Sequence, residues 1–351
     1  RKVKTLCLNS LMRANLSVLY ITYHKIHSAH KYQYEALKGE TLRLYNNTIP
    51  PNIFKLRKRY GVVISMGWRP SIYGYVIKKL GLGKAHVNIM FGDFLIFPER
   101  HPWSKSIFRE IYKDMDAIVA NSTLTRELAV KILGLDNRKV FVSWPVDENK
   151  LRIFQGLKPK ISNKEITLCH LSRMRYDDGP DFLPFIYERL REELGSKVKV
   201  KMYIIGKPIE KKYLCIYKQL FRHSRKEKDF RVLSHQPYSV IRRIFQQCMF
   251  FLYPARFKAF GLPVVEAMAA GLIPIVTITT GARDFVYKVD QRLVVPEPKE
   301  MIKVILSLYN EGSEYLTKLS MMAKEVALNW GEYVAKQHYS RILLKVIQTA
   351  N

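Results

Sequence analysis

Acidic side chains are scarce in this chain: 30 Asp and Glu stand against 59 Lys and Arg, a formal charge of +29 over 351 residues. Within the first 92 positions only Glu35 and Glu40 are acidic, beside 16 basic side chains. So cationic a surface is expected to attract anionic partners: lipid phosphate, nucleic acid or a phosphate-bearing acceptor. Cysteine is scarce too. Cys7, Cys169, Cys215 and Cys248 lie far apart with no CxxC spacing, which indicates neither a zinc site nor a disulfide framework and suits a reducing, cytoplasmic compartment. No apolar run is long enough to cross a bilayer. The chain opens on Arg1, not methionine, so residues upstream are allowed for.

What is present describes a globular protein with room for two cores, since 48% of the residues are hydrophobic. Short apolar runs alternate with helical stretches. Strands are expected at 16–23, 41–45, 60–66, 86–91, 117–120 and 140–142, then at 165–171, 198–205, 230–233, 249–253, 274–277 and 293–296. Between the two groups, residues 150–163 are polar and carry Lys, Pro and Gly, as a hinge would. The pattern predicts an α/β protein of two Rossmann-like, doubly wound domains facing a cleft, at 1–155 and 156–330. A last helix, 331–351, is expected to cross back to the first domain.

The most informative stretch runs from Met249 to Gly271. Met249 to Tyr253 reads as a strand buried on both faces, and Pro254 closes it. Gly261 and Pro263 then mark a loop entering a helix that Gly271 ends. Leu262, Val265, Ala269 and Leu272 recur at spacings of three and four, a stripe expected to pack on the sheet. The helix N-terminus offers amides without intrahelical partners, a natural seat for phosphate. Glu266 lies at the stripe's edge. A carboxylate only accepts hydrogen bonds, so paired ribose hydroxyls fit it, as does a purely structural role near a helix N-terminus.

These residues resemble the signature of retaining, nucleotide-sugar-dependent glycosyltransferases of family 4, which have the glycosyltransferase-B fold. Phe260-Gly261-Leu262-Pro263 and Glu266-Ala267-Met268-Ala269-Ala270-Gly271 match it closely. The resemblance implies ribose contact by Glu266, with Phe260, Gly261 and Leu262 around the donor. It also implies a diphosphate cradle: Arg173 after the strand 165–171, backbone at Gly206 and Lys207, and the nucleotide base near His235. Four departures stand out. Lys258 occupies the position of the family's sugar-contacting glutamate, and Asp178 that of a diphosphate-binding lysine. Asp178 should repel a diphosphate, so Arg175 or Lys258 is expected to supply the missing cation. The double replacement looks like a charge exchange across one site and predicts that Asp178 and Lys258 are neighbours. Asp93 stands where many family members carry a histidine. The glycine pair usual at the first strand-to-helix turn is absent.

The implied activity is retaining transfer of a sugar from a nucleotide-diphosphate donor to an anionic, lipid-linked or other glycan acceptor. Arg173, Lys258 and Asp93 are the candidate catalytic residues, no metal or cofactor is expected, and the first domain is assigned to the acceptor. Lys258 beside the sugar points to an acidic donor. Residues 54–59 and 72–80, where basic and apolar side chains mix, are expected to rest on an anionic membrane surface. His24, His27 and His30 are expected at the surface or lining the acceptor site. The rival readings are a degenerate relative that binds nucleic acid or glycan, and a DNA-modifying glycosyltransferase.

Overall fold

Most strands in the computed structural model are short apolar runs buried on both faces, as all-parallel sheets require when helices cover both sides. The structure describes residues 17–22, 28–37, 39–44, 58–90, 102–208 and 210–350, the side chains of 102, 349 and 350 excepted. The chain divides into two compact units, Arg1–Asp147 with Gly331–Asn351, and Glu148–Trp330.

The first unit contains β1 (Val18–Thr22), β2 (Glu40–Arg43), β3 (Tyr60–Met66), β4 (Gly83–Met90), β5 (Ala117–Ala120) and β6 (Val140–Val142) in the order β2-β1-β3-β4-β5-β6, every pair parallel. Its helices are α1 (Lys31–Ala36), α2 (Trp68–Lys79), α3 (Pro102–Lys113) and α4 (Thr123–Leu133). The Ser122 side chain caps α4 by accepting the Thr125 amide at 3.1 Å, and Gly134 ends the helix at φ 63°. α3 is not among the elements expected from the sequence, yet Phe108, Ile111 and Tyr112 fall at helical spacing and are buried in the core with Leu133 and Val140. A buried polar layer crosses the sheet. Ser65 Oγ lies 2.8 Å from His86 Nε2 and accepts from Asn88 Nδ2 at 2.9 Å.

The second unit holds α5 (Glu148–Phe154), β7 (Glu165–Leu171), α6 (Leu183–Leu194), β8 (Lys199–Ile205), α7 (Leu214–Lys226), β9 (Phe230–Leu233), α8 (Tyr238–Gln247), β10 (Phe250–Tyr253), α9 (Leu262–Ala269), β11 (Ile273–Thr277), α10 (Arg283–Val286), β12 (Val294–Val295), α11 (Glu300–Asn310) and α12 (Ser313–Asn329). Its parallel sheet runs β12-β11-β10-β7-β8-β9. α13 (Glu332–Ala350) returns to the first unit, where it packs on α1. The division falls between Asp147 and Glu148, eight residues before the sequence boundary. The reason is that residues 148–154 form a helix, not a hinge. Buried Leu151 and Phe154 lie three apart, and Phe154 meets the ring of Phe245 at 5.2 Å.

Candidate donor site at the switch point of the second unit

Counted from its own first strand, the second sheet reads 6-5-4-1-2-3, so its connectivity reverses between β7 and β10. In open parallel sheets ligands bind beyond the carboxyl ends of the strands at such a reversal. Here those ends lead into residues 172–182 and 254–261, the segments the sequence singled out.

The two loops are bonded into one structure. The Arg256 amide donates to the Asp177 carbonyl at 2.9 Å. Its guanidinium makes a bidentate pair with Asp181 (2.7 and 2.6 Å) and lies 3.7 Å from the Tyr176 ring centroid. Gly179 has φ 69°, and a Cβ there would come within 1.9 Å of the Pro254 carbonyl oxygen. Gly179→Ala is therefore expected to destabilise the chain by at least about 2 kcal/mol, from left-handed strain plus displacement of the second loop. A chemical denaturation midpoint unchanged from the parent chain would contradict this.

Asp178 and Lys258 are neighbours, as the charge-exchange reading expected. Lys258 Nζ lies 2.6 Å from Asp178 Oδ1, which also accepts from Tyr253 OH at 3.1 Å. Asp178 is fully buried and Lys258 half-buried. Burial alone would raise the Asp178 pKa, but the charge and hydrogen bond of Lys258 outweigh it and hold the carboxyl below the usual range. Beneath the pair, His170 stacks on Tyr253 at 5.4 Å, and its Nδ1 lies 2.9 Å from the Leu252 carbonyl. Burial pushes the His170 pKa down to about 4, so it is neutral.

The pairing bears on a second expectation. Both cations nominated to replace the missing lysine already face carboxylates: Arg175 lies 3.4 Å from Asp177, and Lys258 is held by Asp178. Arg173 and Lys207 are exposed, and among the described residues no carboxylate pairs with either. Between Arg173 and Arg175, Met174 takes φ 53°, a left-handed conformation that a non-glycine residue seldom adopts. Its buried side chain and the bond from its amide to Ser172 Oγ (3.0 Å) hold it there. Gly206, after β8, abuts the same turn, since a Cβ on it would reach the Ser172 carbonyl oxygen at 2.0 Å. His235 is exposed beyond β9, the edge strand, two strands away from the reversal between β7 and β10.

α9 enters through Gly261, at φ 104°, with Leu262 and Pro263 at its first positions. The expected one-sided stripe is not what forms. Val264 through Ala269 are all buried, because the helix packs against α5 and α12 as well as the sheet, while Leu262 is only half-buried. Gly271 ends it at φ 87°: its amide bonds the Met268 carbonyl (2.8 Å), and that of Leu272 bonds the Ala267 carbonyl (3.0 Å). Glu266 is 5% exposed, with Lys150 Nζ of α5 at 3.8 Å from Oε1. Lys150 is not among the residues expected at the site, since the polar sequence around it resembles a hinge.

Asp93, His24, His27, Lys55 and Arg57 lie outside the described residues. His30 is buried, not at the surface, with Nδ1 2.8 Å from Gln33 Oε1. The expected membrane-facing lysines of α2 are engaged: Lys78 pairs with Asp116 at 2.9 Å and Lys79 with Asp114 at 2.6 Å. Among the described residues no helix is long and apolar enough to cross a membrane.

Comparison with known proteins agrees with this architecture. Residues 155–326 match the family described as glycosyl transferases group 1. A glycogen synthase of Thermosipho melanesiensis is 22% identical over 233 residues, covering 60% of this chain and 46% of that one. A second, of Desulforudis audaxviator, is 27% identical over 196 residues, covering 52% and 37%. The chain thus spans less than half the length of these curated relatives. Among solved structures, HepE of Anabaena in complex with UDP superposes with a TM-score of 0.73 at 13% identity, covering 94% of this chain and all of that one. A UDP-forming trehalose-phosphate synthase of Burkholderia xenovorans gives 0.68 at 12% identity, covering 95% and 99%. These likenesses establish the two-domain α/β fold of glycosyltransferase-B proteins.

Proposed function

We propose that the chain is a retaining glycosyltransferase that moves a sugar from a nucleotide-diphosphate donor to an anionic acceptor, such as a lipid-phosphate-linked glycan, without a metal ion. The observation that carries this reading is the placement of a buried carboxylate, Glu266, one turn inside a helix entered through a glycine loop at the switch point of a sheet whose sequence matches glycosyl transferases group 1. The nucleotide complexes of structures with this fold support it.

In this reading Glu266 accepts the two ribose hydroxyls, and the amides of Gly261 and Leu262 face the diphosphate. Arg173 and Lys207 neutralise the charge that grows on the leaving diphosphate as the bond to the anomeric carbon breaks, usually the largest catalytic contribution. The acceptor hydroxyl attacks from the face the diphosphate leaves, and its proton passes to the departing phosphate oxygen, so no protein nucleophile is used. The reaction belongs in the cytoplasm, against a membrane surface. The pairing of Lys258 also revises the donor. With Asp178 at 2.6 Å the pair carries no net charge toward a sugar, so a neutral sugar nucleotide is expected to be hydrolysed faster than an acidic one. The reverse preference would refute that revision.

Calorimetric titration with a panel of nucleoside diphosphates tests the function itself. One of them is expected to bind, and silence from all of them would remove the enzyme reading. Arg173→Ala should weaken the bound diphosphate about tenfold or more while leaving affinity for the matching nucleoside unchanged, because a charge-assisted phosphate contact contributes about 1.5–3 kcal/mol. Equal losses for both ligands would mean that Arg173 acts on folding, not on phosphate.

A further inference from the structure

α7 carries a surface that the donor site does not use. Residues 211–228 hold seven Lys and Arg and one acidic residue, Glu227. Ile216 and Leu220 turn inward and are buried. On the outward face, Leu214, Tyr217 and Phe221 recur at i, i+3 and i+7 and so form one row along the helix. Leu214 and Phe221 are 40% and 41% exposed, large values for apolar side chains, and the Tyr217 ring lies 6.2 Å from that of Phe221. Lys218, Arg222 and Arg225 form a second, basic row beside it, at i, i+4 and i+7, and all three are exposed. None has a carboxylate partner among the described residues. The acids bordering the helix are taken elsewhere: Glu210 by Lys212 (2.8 Å), Glu227 by Arg191 (2.6 Å) and Asp229 by Lys199 (3.2 Å).

We propose that this face of α7 docks on an anionic phospholipid surface, with Leu214, Tyr217 and Phe221 at headgroup depth and Lys218, Arg222 and Arg225 against lipid phosphates. Arg225 lies 5.4 Å from the Phe221 ring centroid and so joins the two rows. An apolar row flanked by cations that face no carboxylate among the described residues is the arrangement an interfacial helix needs. Nucleic acid fits less well. Leu214 has no π face on which a base would stack, and the aromatics sit on the outward side of a helix instead of lining a basic groove. The surface also replaces the one expected on α2, whose lysines are engaged.

The test uses the full chain and no nucleotide, so its result is independent of the donor reading. The unaltered chain is expected to sediment with vesicles of phosphatidylcholine mixed with phosphatidylglycerol. The triple variant K218E/R222E/R225E should bind them more than about a hundredfold more weakly, because losing three basic side chains that each contribute roughly fivefold already gives that factor and the new carboxylates repel the surface. Cys215, exposed on the same helix while Cys169 and Cys248 are buried, offers a second readout. In a Cys7→Ser background, an environment-sensitive fluorophore on Cys215 should shift to the blue with the mixed vesicles, and Phe221→Ser should reduce that shift. Unchanged sedimentation of the triple variant would overturn the proposal, as would an unshifted fluorophore on vesicle-bound chain. Loss of duplex DNA binding in the triple variant with vesicle binding intact would assign the face to nucleic acid instead.

Discussion

Replacing Lys258 by alanine is expected to destabilise the chain by about 3–5 kcal/mol, because it strands a fully buried carboxylate without its counter-charge. Among the described residues, Asp178 Oδ1 would retain only the bond from Tyr253 OH, and Oδ2 has no hydrogen-bond partner to begin with. Asp178→Asn should be milder, since a neutral amide at that position is less costly to bury unpaired. Charge exchange makes the sharper experiment. Asp178→Lys alone sets two ammonium groups together, and Lys258→Glu alone sets two carboxylates together. The double variant restores the arrangement the family resemblance implies and should be more stable than either single variant. A double-mutant cycle with additive effects would show that the two side chains do not act as a pair.

Acid should weaken the same region in two separable steps. Asp178 titrates below its ordinary 3.8 in the folded chain, so the pair stabilises fully above that pH and loses its contribution as pH falls through the lower folded value. His170 contributes earlier. Its folded pKa, pushed down to about 4 from 6.5, means that the unfolded chain takes up a proton which the folded chain refuses across that interval. Buried His86 behaves alike, with a folded value of about 3. The urea midpoint is therefore expected to drop between pH 7 and pH 5, before Asp178 titrates, and a flat profile there would contradict the buried, neutral state of both rings.

The fold was largely legible because parallel strands buried on both faces read as unbroken apolar runs, and Phe250–Tyr253 and Glu165–Leu171 stand out at once. Helices with a mixed surface were harder to see. α3, α5 and α8 each turn only two or three apolar residues inward, and in α5 Lys150 and Arg152 mask Leu151 and Phe154, so its sequence reads as linker. The Asp178–Lys258 contact was legible for a particular reason. Two positions with inverted charge make chemical sense only if they meet, so departures from a pattern carried distance information that the pattern did not. What the sequence did not show was engagement. No spacing reveals that Arg175 has Asp177 to face, or that Lys150 reaches Glu266, since those contacts depend on loops closing around Met174 and on α5 packing against α9.

Glu266→Gln is expected to reduce affinity for the preferred nucleoside diphosphate by about 10- to 100-fold while leaving the fold intact. The side chain is buried and nearly isosteric with the glutamine that replaces it, so packing within α9 is preserved. What changes is the acceptor. A carboxylate takes both ribose hydroxyl protons in charge-assisted bonds of about 1.5–3 kcal/mol, whereas the amide accepts on one side and presents a donor on the other. The ligand supplies the control. A 2′,3′-dideoxy analogue lacks the two hydroxyls, so it should bind the parent chain poorly and lose little more on Glu266→Gln. If the variant weakens ribose and dideoxy ligands equally, Glu266 is a structural residue whose charge answers Lys150, 3.8 Å away, and not a ribose ligand. If only the ribose ligand is affected, the loss belongs to a contact between that carboxylate and the sugar of the nucleotide, the contact on which assignment of the whole switch point to a nucleotide donor depends.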